Sequence, residues 1–290
     1  MGKKIILLLL LALCPVVHAA SNTAGAFTRY NTDARIAGLG GAGVALSKDA
    51  TGVYWNPANL SSLDRNNFNI TSSKAFETDY LSAFLAMPGK TFSWGIGYTG
   101  AHIDDILGTQ QNSDNRSEKT GANYTYNATA LYLATSLAIT QQLAIGVTGK
   151  YIEEKIGTSN PQGTGLDVGI TYQPLSWLRL ATHAQNLAAP SLAGEILPTT
   201  YSGGLSLSLL DKTLILSSEA EKQTGRSTKF NSGIEYWPVN CLAIRAGLHD
   251  SHLTFGTGLC LDTLHLNASW EAPYQDNLDA LYRFSASLNF

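Results

Sequence analysis

Charge is scarce in this chain. Asp, Glu, Lys and Arg make up 14% of its 290 residues, against about 25% in ordinary soluble domains. Such a composition fits an intracellular enzyme poorly. The net charge is −3, which leaves no electrostatic footprint for nucleic acid. Long apolar runs are missing beyond the first residues. Ile5 to Leu13 is unbroken, but a helix needs about 20 apolar residues to span a bilayer. After it, apolar side chains come singly between Ser, Thr, Gly and Asn. Any passage through a membrane must then be made by the strands of a closed barrel. Cysteine is scarce as well, with three residues at positions 14, 241 and 260.

The start of the chain reads as a secretory signal over residues 1–20. Lys3 and Lys4 form its basic part, Ile5 to Leu13 its apolar part, and Val17-His-Ala19 and His18-Ala-Ala20 its cleavage site. A mature start at Ala20 or Ser21 is expected. Leu13 stands before Cys14, where a lipoprotein signal takes a small residue.

The last ten residues alternate. Tyr282, Phe284, Ala286, Leu288 and Phe290 share one parity, and Arg283, Ser285, Ser287 and Asn289 share the other. Successive side chains of a strand point to opposite faces. This strand therefore has an apolar, aromatic-tipped face and a polar face. It looks like the closing strand of a bacterial outer-membrane barrel, with Tyr282, Phe284, Leu288 and Phe290 as the C-terminal signal for the barrel-insertion machinery.

About fourteen segments alternate in this way, at roughly 68–74, 79–87, 92–99, 123–137, 142–155, 164–173, 177–187, 199–209, 213–222, 229–237, 241–249, 253–261, 263–272 and 281–290. Twelve is the alternative count, if the first hairpin stays outside the membrane. Connections alternate in length. Those at 88–90, 139–142, 174–176, 210–212, 238–240 and 262 are short, whereas 100–122, 156–163, 188–198, 223–228 and 273–280 are longer and polar. Short periplasmic turns and long external loops are the barrel pattern. His249-Asp-Ser-His252 breaks it, being short on the external side. The expected fold is thus all-β: a transmembrane antiparallel barrel of about 14 strands over residues 67–290, surrounded by outer-membrane lipid.

A turn at Asp250-Ser251 pairs residues whose numbers sum to 501. Cys241 then opposes Cys260. The periplasm permits disulfides, so a lumen-facing bridge near the rim is expected. The alternative is two unrelated thiols. The inward parity carries Lys150, Asp167, Arg179, His183, Glu219, Glu221, Glu235, Arg245, His265, Glu271 and Arg283. In a narrow barrel such groups serve as mutual salt bridges and as anchors for whatever fills the lumen. A greasy ligand would enter instead near Leu187, Leu192, Ile196 and Leu197, or that loop packs over the mouth.

Residues 21–66 show no alternation. Gly38-Leu-Gly-Gly-Ala-Gly43 matches the dinucleotide-binding pattern literally. The pattern works only between a buried strand and a helix, with an acidic residue about 20 positions on, and that setting is missing. The run Gly38, Gly40, Gly41, Gly43 through Asp49-Ala-Thr-Gly-Val-Tyr-Trp-Asn-Pro-Ala-Asn-Leu60 resembles the N-terminal signature of the FadL-like outer-membrane proteins, in particular their PorV/PorQ branch. Gln185-Asn-Leu187, Leu197-Pro-Thr199, Gly233-Ile-Glu-Tyr-Trp-Pro238 and Arg283-Phe-Ser-Ala-Ser-Leu288 extend the resemblance over most of the chain.

The resemblance implies a barrel with an N-terminal hatch that carries Asn56, Pro57 and Ala58 as its motif, either as a gate or as a fixed plug. It implies transport of hydrophobic small molecules across the outer membrane. The alternative is a non-transport part of a protein secretion or surface-attachment system, with secretion proteins as partners. His102, Asp104 and Asp105, and His249, Asp250 and His252, are read as polar loops rather than metal ligands. Neither an enzyme activity nor a metal or other cofactor is expected.

Overall fold

The computed structural model describes residues 25–30, 33–114, 116–188, 191–273 and 279–290. The expected signal segment, residues 1–20, lies outside them. Strands follow wherever one parity is apolar. They are β1 (Asn67–Ala75), β2 (Thr78–Met87), β3 (Phe92–Gln111), β4 (Ser117–Ala138), β5 (Leu143–Ile156), β6 (Gln162–Leu175) and β7 (Leu178–Leu187). After a small hairpin of β8 (Ser191–Leu192) and β9 (Glu195–Ile196) come β10 (Thr200–Leu209), β11 (Leu214–Gln223), β12 (Thr228–Val239), β13 (Leu242–His249), β14 (His252–Leu261), β15 (Leu264–Glu271) and β16 (Leu281–Asn289).

Fourteen of these form one closed antiparallel barrel, in which each strand pairs with the next barrel strand in the chain. β7 pairs with β10 because β8 and β9 form a sheet of their own. Closure is made by β1 and β16, from Asn67 opposite Asn289 to Lys74 opposite Tyr282. The first hairpin is part of the wall, so the count is fourteen and not twelve. Closure leaves no unpaired edge, which a barrel in lipid requires.

The outer face carries Phe68, Trp94, Leu131, Leu133, Phe255 and Phe284, all exposed. Tyr282, Leu288 and Phe290 are exposed on the same face, as the parity of the last strand requires. Short turns gather at the rim where β1 starts and β16 ends. The longer connections gather at the other rim. Two tight turns stand among them: Asp250-Ser251, and Phe76-Glu77, whose residues are both left-handed at φ 51° and 61°.

Two expectations are corrected. The stretch 100–122 is not a loop, because β3 and β4 continue through it as one long hairpin. β2 stops pairing with β3 at His102, and β5 stops pairing with β4 at Tyr126, so the hairpin projects beyond the wall. Its residues face water on both sides, which removes the apolar alternation by which a strand is recognised.

Cys241 and Cys260 are free thiols and not a bridge. The register is the expected one, with Leu242 opposite Leu259 and the Cys260 N–H donating to the Cys241 carbonyl at 2.9 Å. Cys241 lies in the turn before β13 with its side chain exposed. Cys260 instead places its Sγ 3.7 Å from Nε2 of His265 on β15.

Candidate functional site

The lumen is filled by the N-terminal segment. Its pieces are short: 3₁₀ turns at Ala26–Arg29 and Pro57–Ser62, and single helical turns at Ala34–Ala37 and Gly52–Trp55. None would persist alone in water, because helix nucleation is costly. They are held by caps and by the wall. Asp33 caps Ala34–Ala37, accepting the Arg35 N–H at 2.9 Å. Asn56 caps Pro57–Ser62, accepting the Ala58 N–H at 3.0 Å, and Pro57 sits at the first helical position where its missing N–H costs nothing.

The Asn56-Pro-Ala58 motif is entirely buried. The Asn56 amide donates to the Val44 carbonyl at 3.1 Å and to Thr171 Oγ1 of β6 at 3.3 Å. It ties one turn of the segment to another and to the wall. Asn59 does the same. Its amide reaches the Val44 carbonyl at 3.0 Å, and its oxygen accepts from Thr171 at 2.7 Å and Arg179 at 3.4 Å. Asn59 belongs to the same motif run and was missed by the sequence reading.

The glycines act in facing pairs. Gly40 is left-handed at φ 68°, a conformation that favours glycine. A Cβ on Gly247 of β13 would overlap the Gly40 nitrogen, and one on Gly169 of β6 would overlap Asn56 Oδ1. Gly38 and Gly256 of β14 approach so closely that a Cβ on Gly38 would stand 3.0 Å from the Gly256 Cα. Gly41 and Gly43 lie in the same run, with Gly43 packed on the Trp55 ring. The wall glycines escaped the sequence reading because a glycine inside a strand gives no parity signal.

The eleven inward charged residues divide by role. Glu235 binds Arg35 of the segment at 2.8 Å and Arg245 of the wall at 2.6 Å. Glu219 accepts the Val44 N–H at 2.9 Å. Arg179 reaches Ser62 at 3.1 Å, and Arg283 donates to the Tyr30 carbonyl at 3.1 Å. These are anchors. Lys150 pairs with Asp167 at 2.7 Å inside the wall, and Glu271 takes Arg283 at 2.8 Å and His249 at 2.7 Å. Asp167 also accepts the Asn186 N–H at 2.8 Å, where β6 and β7 slip register. His183 is buried, Glu221 faces the remaining cavity, and His265 stands beside Cys260.

The lumen has a second character that this charged set conceals. The inner faces of β2–β5 carry an apolar patch among buried hydroxyls such as Ser82, Ser136 and Thr148. Ala86, Ala101, Ala128, Ala130, Ala134 and Ile152 are buried there with Tyr80, Phe84 and Tyr132. Val53, Tyr54 and Leu60 of the segment pack onto this sector, and Thr148 of β5 donates to the Val53 carbonyl at 3.0 Å. Tyr30 stacks on Tyr80 with ring centres 5.5 Å apart, and Tyr54 meets Tyr132 edge-on at 6.2 Å. Leu192 and Leu197, expected at an entry loop or a cover, are buried. A Cβ on Gly25 would touch Leu197. The loop therefore packs over the segment.

On the far side of Tyr30 and Tyr54 lies a cavity of about 360 Å³, toward the rim with the longer connections. Rows of paired wall residues form its floor: Gln185, Thr200 and Gln223, then His183, Ser202 and Glu221. Asp33, Trp55 and Arg29 face it from the segment. Burial, with Asp49 nearby, pushes the Asp33 carboxyl up to about 7.

No family model matches the sequence, and no curated protein matches it. Solved structures do match in fold. The TodX deltaS2 mutant, a monoaromatic hydrocarbon channel, has a TM-score of 0.68 at 13% identity, covering 89% of this chain and 98% of that one. The Pseudomonas putida toluene transporter TodX reaches 0.62 at 13%, covering 91% and 99%. A Pseudomonas aeruginosa FadL homologue reaches 0.57 at 12%, covering 94% and 99%. The chain thus has the FadL-like barrel fold, and the two TodX structures are those of a channel and transporter. A shared fold leaves function to be argued from the site.

Proposed function

We propose that this chain is a bacterial outer-membrane channel that admits small hydrophobic molecules, with the N-terminal segment as its hatch. The observation that carries the reading is the apolar sector of β2–β5. The alanines there add no polar group to the wall, and they are covered by the hatch side chains Val53, Tyr54 and Leu60. Moving the hatch would bare a greasy strip along which a hydrocarbon loses little of what it gained on leaving water. TodX, a toluene transporter of the same fold, suggests a monoaromatic molecule as the first substrate to try.

The finer likeness to the PorV/PorQ branch rests on the sequence motifs alone and belongs to this proposal. The test is toluene uptake by outer-membrane-permeability-limited bacterial cells that express the chain, against cells with the empty vector. Faster, saturable uptake supports the proposal. Equal rates, with the folded barrel confirmed by heat-modifiable gel migration, overturn it.

A further inference from the structure

Three rings meet where the apolar sector approaches the rim with the longer connections. Tyr30 of the segment lies between Tyr80 of β2 and Phe76 of the β1–β2 turn. It stacks on Tyr80 with ring centres 5.5 Å apart and planes at 30°, and it meets Phe76 edge-on at 6.4 Å and 81°. Both are arrangements that aromatic pairs prefer. Tyr80 is buried, whereas Phe76 is 44% exposed. The Tyr30 ring thus fills a slot with one wall at the surface and the other within the sector.

That ring is held less firmly than its backbone. The Tyr30 N–H donates to the Phe27 carbonyl at 3.4 Å, and its own carbonyl accepts from Arg283 at 3.1 Å. Its hydroxyl has no partner among the described residues. On its other side lies the cavity of about 360 Å³, which Tyr30 lines. An apolar cavity of about 150 Å³ already holds benzene, so there is room for the ring to turn. Gln185, Thr200 and Ser202 in the lining offer partners to a phenol hydroxyl. Turning would empty the slot and leave both of its walls in place.

The walls select what enters. An aliphatic guest would gain only from buried area. A flat ring would gain the stack on Tyr80 and the edge contact with Phe76 as well. Taking the uptake reading as the setting, we infer that Phe76 and Tyr80 form a receiving site for a single aromatic ring, which Tyr30 fills at rest and yields by turning into the cavity. Aromatic character, and not apolarity alone, then decides what is admitted. A guest that must displace Tyr30 binds more weakly by the fraction of time the slot is open. Shortening Tyr30 should therefore tighten binding, whereas shortening a residue that only adds contact area would weaken it.

The test uses two water-soluble probes of like shape, benzyl alcohol and cyclohexylmethanol. Their affinities for the purified, detergent-solubilised chain are measured by saturation-transfer NMR, with chain-free micelles subtracted. Benzyl alcohol should bind about fivefold more tightly than cyclohexylmethanol. Tyr30→Ala should tighten benzyl alcohol about tenfold. Tyr80→Leu should erase the preference. Phe76→Leu, at an exposed turn position, should about halve it, with heat-modifiable migration intact. Equal affinities for the two probes, no tightening in Tyr30→Ala, or a preference unchanged in either wall variant would overturn the inference. A chain that prefers benzyl alcohol but takes up no toluene keeps this site and loses the channel. One that takes up toluene without the preference does the reverse.

Discussion

Arg35 of the N-terminal segment and Glu235 of the barrel wall lie 200 residues apart in sequence and meet through two hydrogen bonds at 2.9 and 2.8 Å. The Glu235 side chain is 0% exposed and also serves Arg245. One carboxylate thus holds the N-terminal segment to the wall and is shared by two cations.

Glu235→Gln should be the most damaging single change at this contact. It leaves Arg35 and Arg245 side by side without the carboxylate they share, and breaking a buried pair in that way costs about 3–5 kcal/mol. Arg35→Met should cost less, because Arg245 still neutralises Glu235. Urea unfolding of the barrel in detergent gives both values, and equal losses would show that the triad is not shared as described.

Gly247→Ala should push the segment off the wall, since its two tightest clashes are with the segment and its third, the Ser232 carbonyl of β12, is looser. The new methyl group would fall on the Gly40 and Leu39 backbone, which has no rotamer by which to yield. At Gly149, on the same wall, a methyl group would meet nothing within 4 Å, so Gly149→Ala should be neutral. Limited proteolysis reads the difference: cleavage within residues 25–66 speeds up in Gly247→Ala and not in Gly149→Ala.

The N-terminal segment should loosen as pH rises. The Asp33 carboxyl ionises near 4 in an unfolded chain and is pushed up to about 7 in the folded one. Between those values the folded state holds the extra proton. The stability contributed by Asp33 is therefore fully present below about pH 4 and is lost as pH rises through 7, at up to about 1.4 kcal/mol per unit. Segment protection measured from pH 5 to 8 should fall more steeply in the wild type than in Asp33→Asn. Parallel profiles would contradict this.

Much of the fold was legible because lipid and lumen impose opposite demands on alternate residues. Leu166, Val168 and Ile170 against Asp167, Gly169 and Thr171 could be only a wall strand. The Asp250-Ser251 turn set the register of β13 on β14, with Leu248 opposite Leu253. Alternation failed where those demands fade. Ile103-Asp-Asp-Ile106 projects into water, includes a left-handed Asp105 and slips register against β4, so it has no parity to read.

The site was half legible for the same reason. Charged inward residues stood out, and Glu219, Glu235 and Arg283 contact the N-terminal segment. Ala128, Ala130 and Ala134 did not stand out, because outward Leu131 and Leu133 make both faces of β4 apolar. The wall partners of the N-terminal segment were hidden too, since Gly169, Gly247 and Gly256 become meaningful only when the segment lies against them.

In the proposed function, the N-terminal segment closes a hydrophobic route along β2–β5. Val53 and Gly95 of β3 are in contact, so cysteines at both positions would lock the segment onto the wall. Toluene uptake by a Val53→Cys, Gly95→Cys variant, in a background with Cys241 and Cys260 replaced by Ser, tests the claim directly. Uptake should fall to the empty-vector rate when the pair is oxidised, and recover when it is reduced. Uptake that stays at the wild-type rate with the crosslink complete would contradict it.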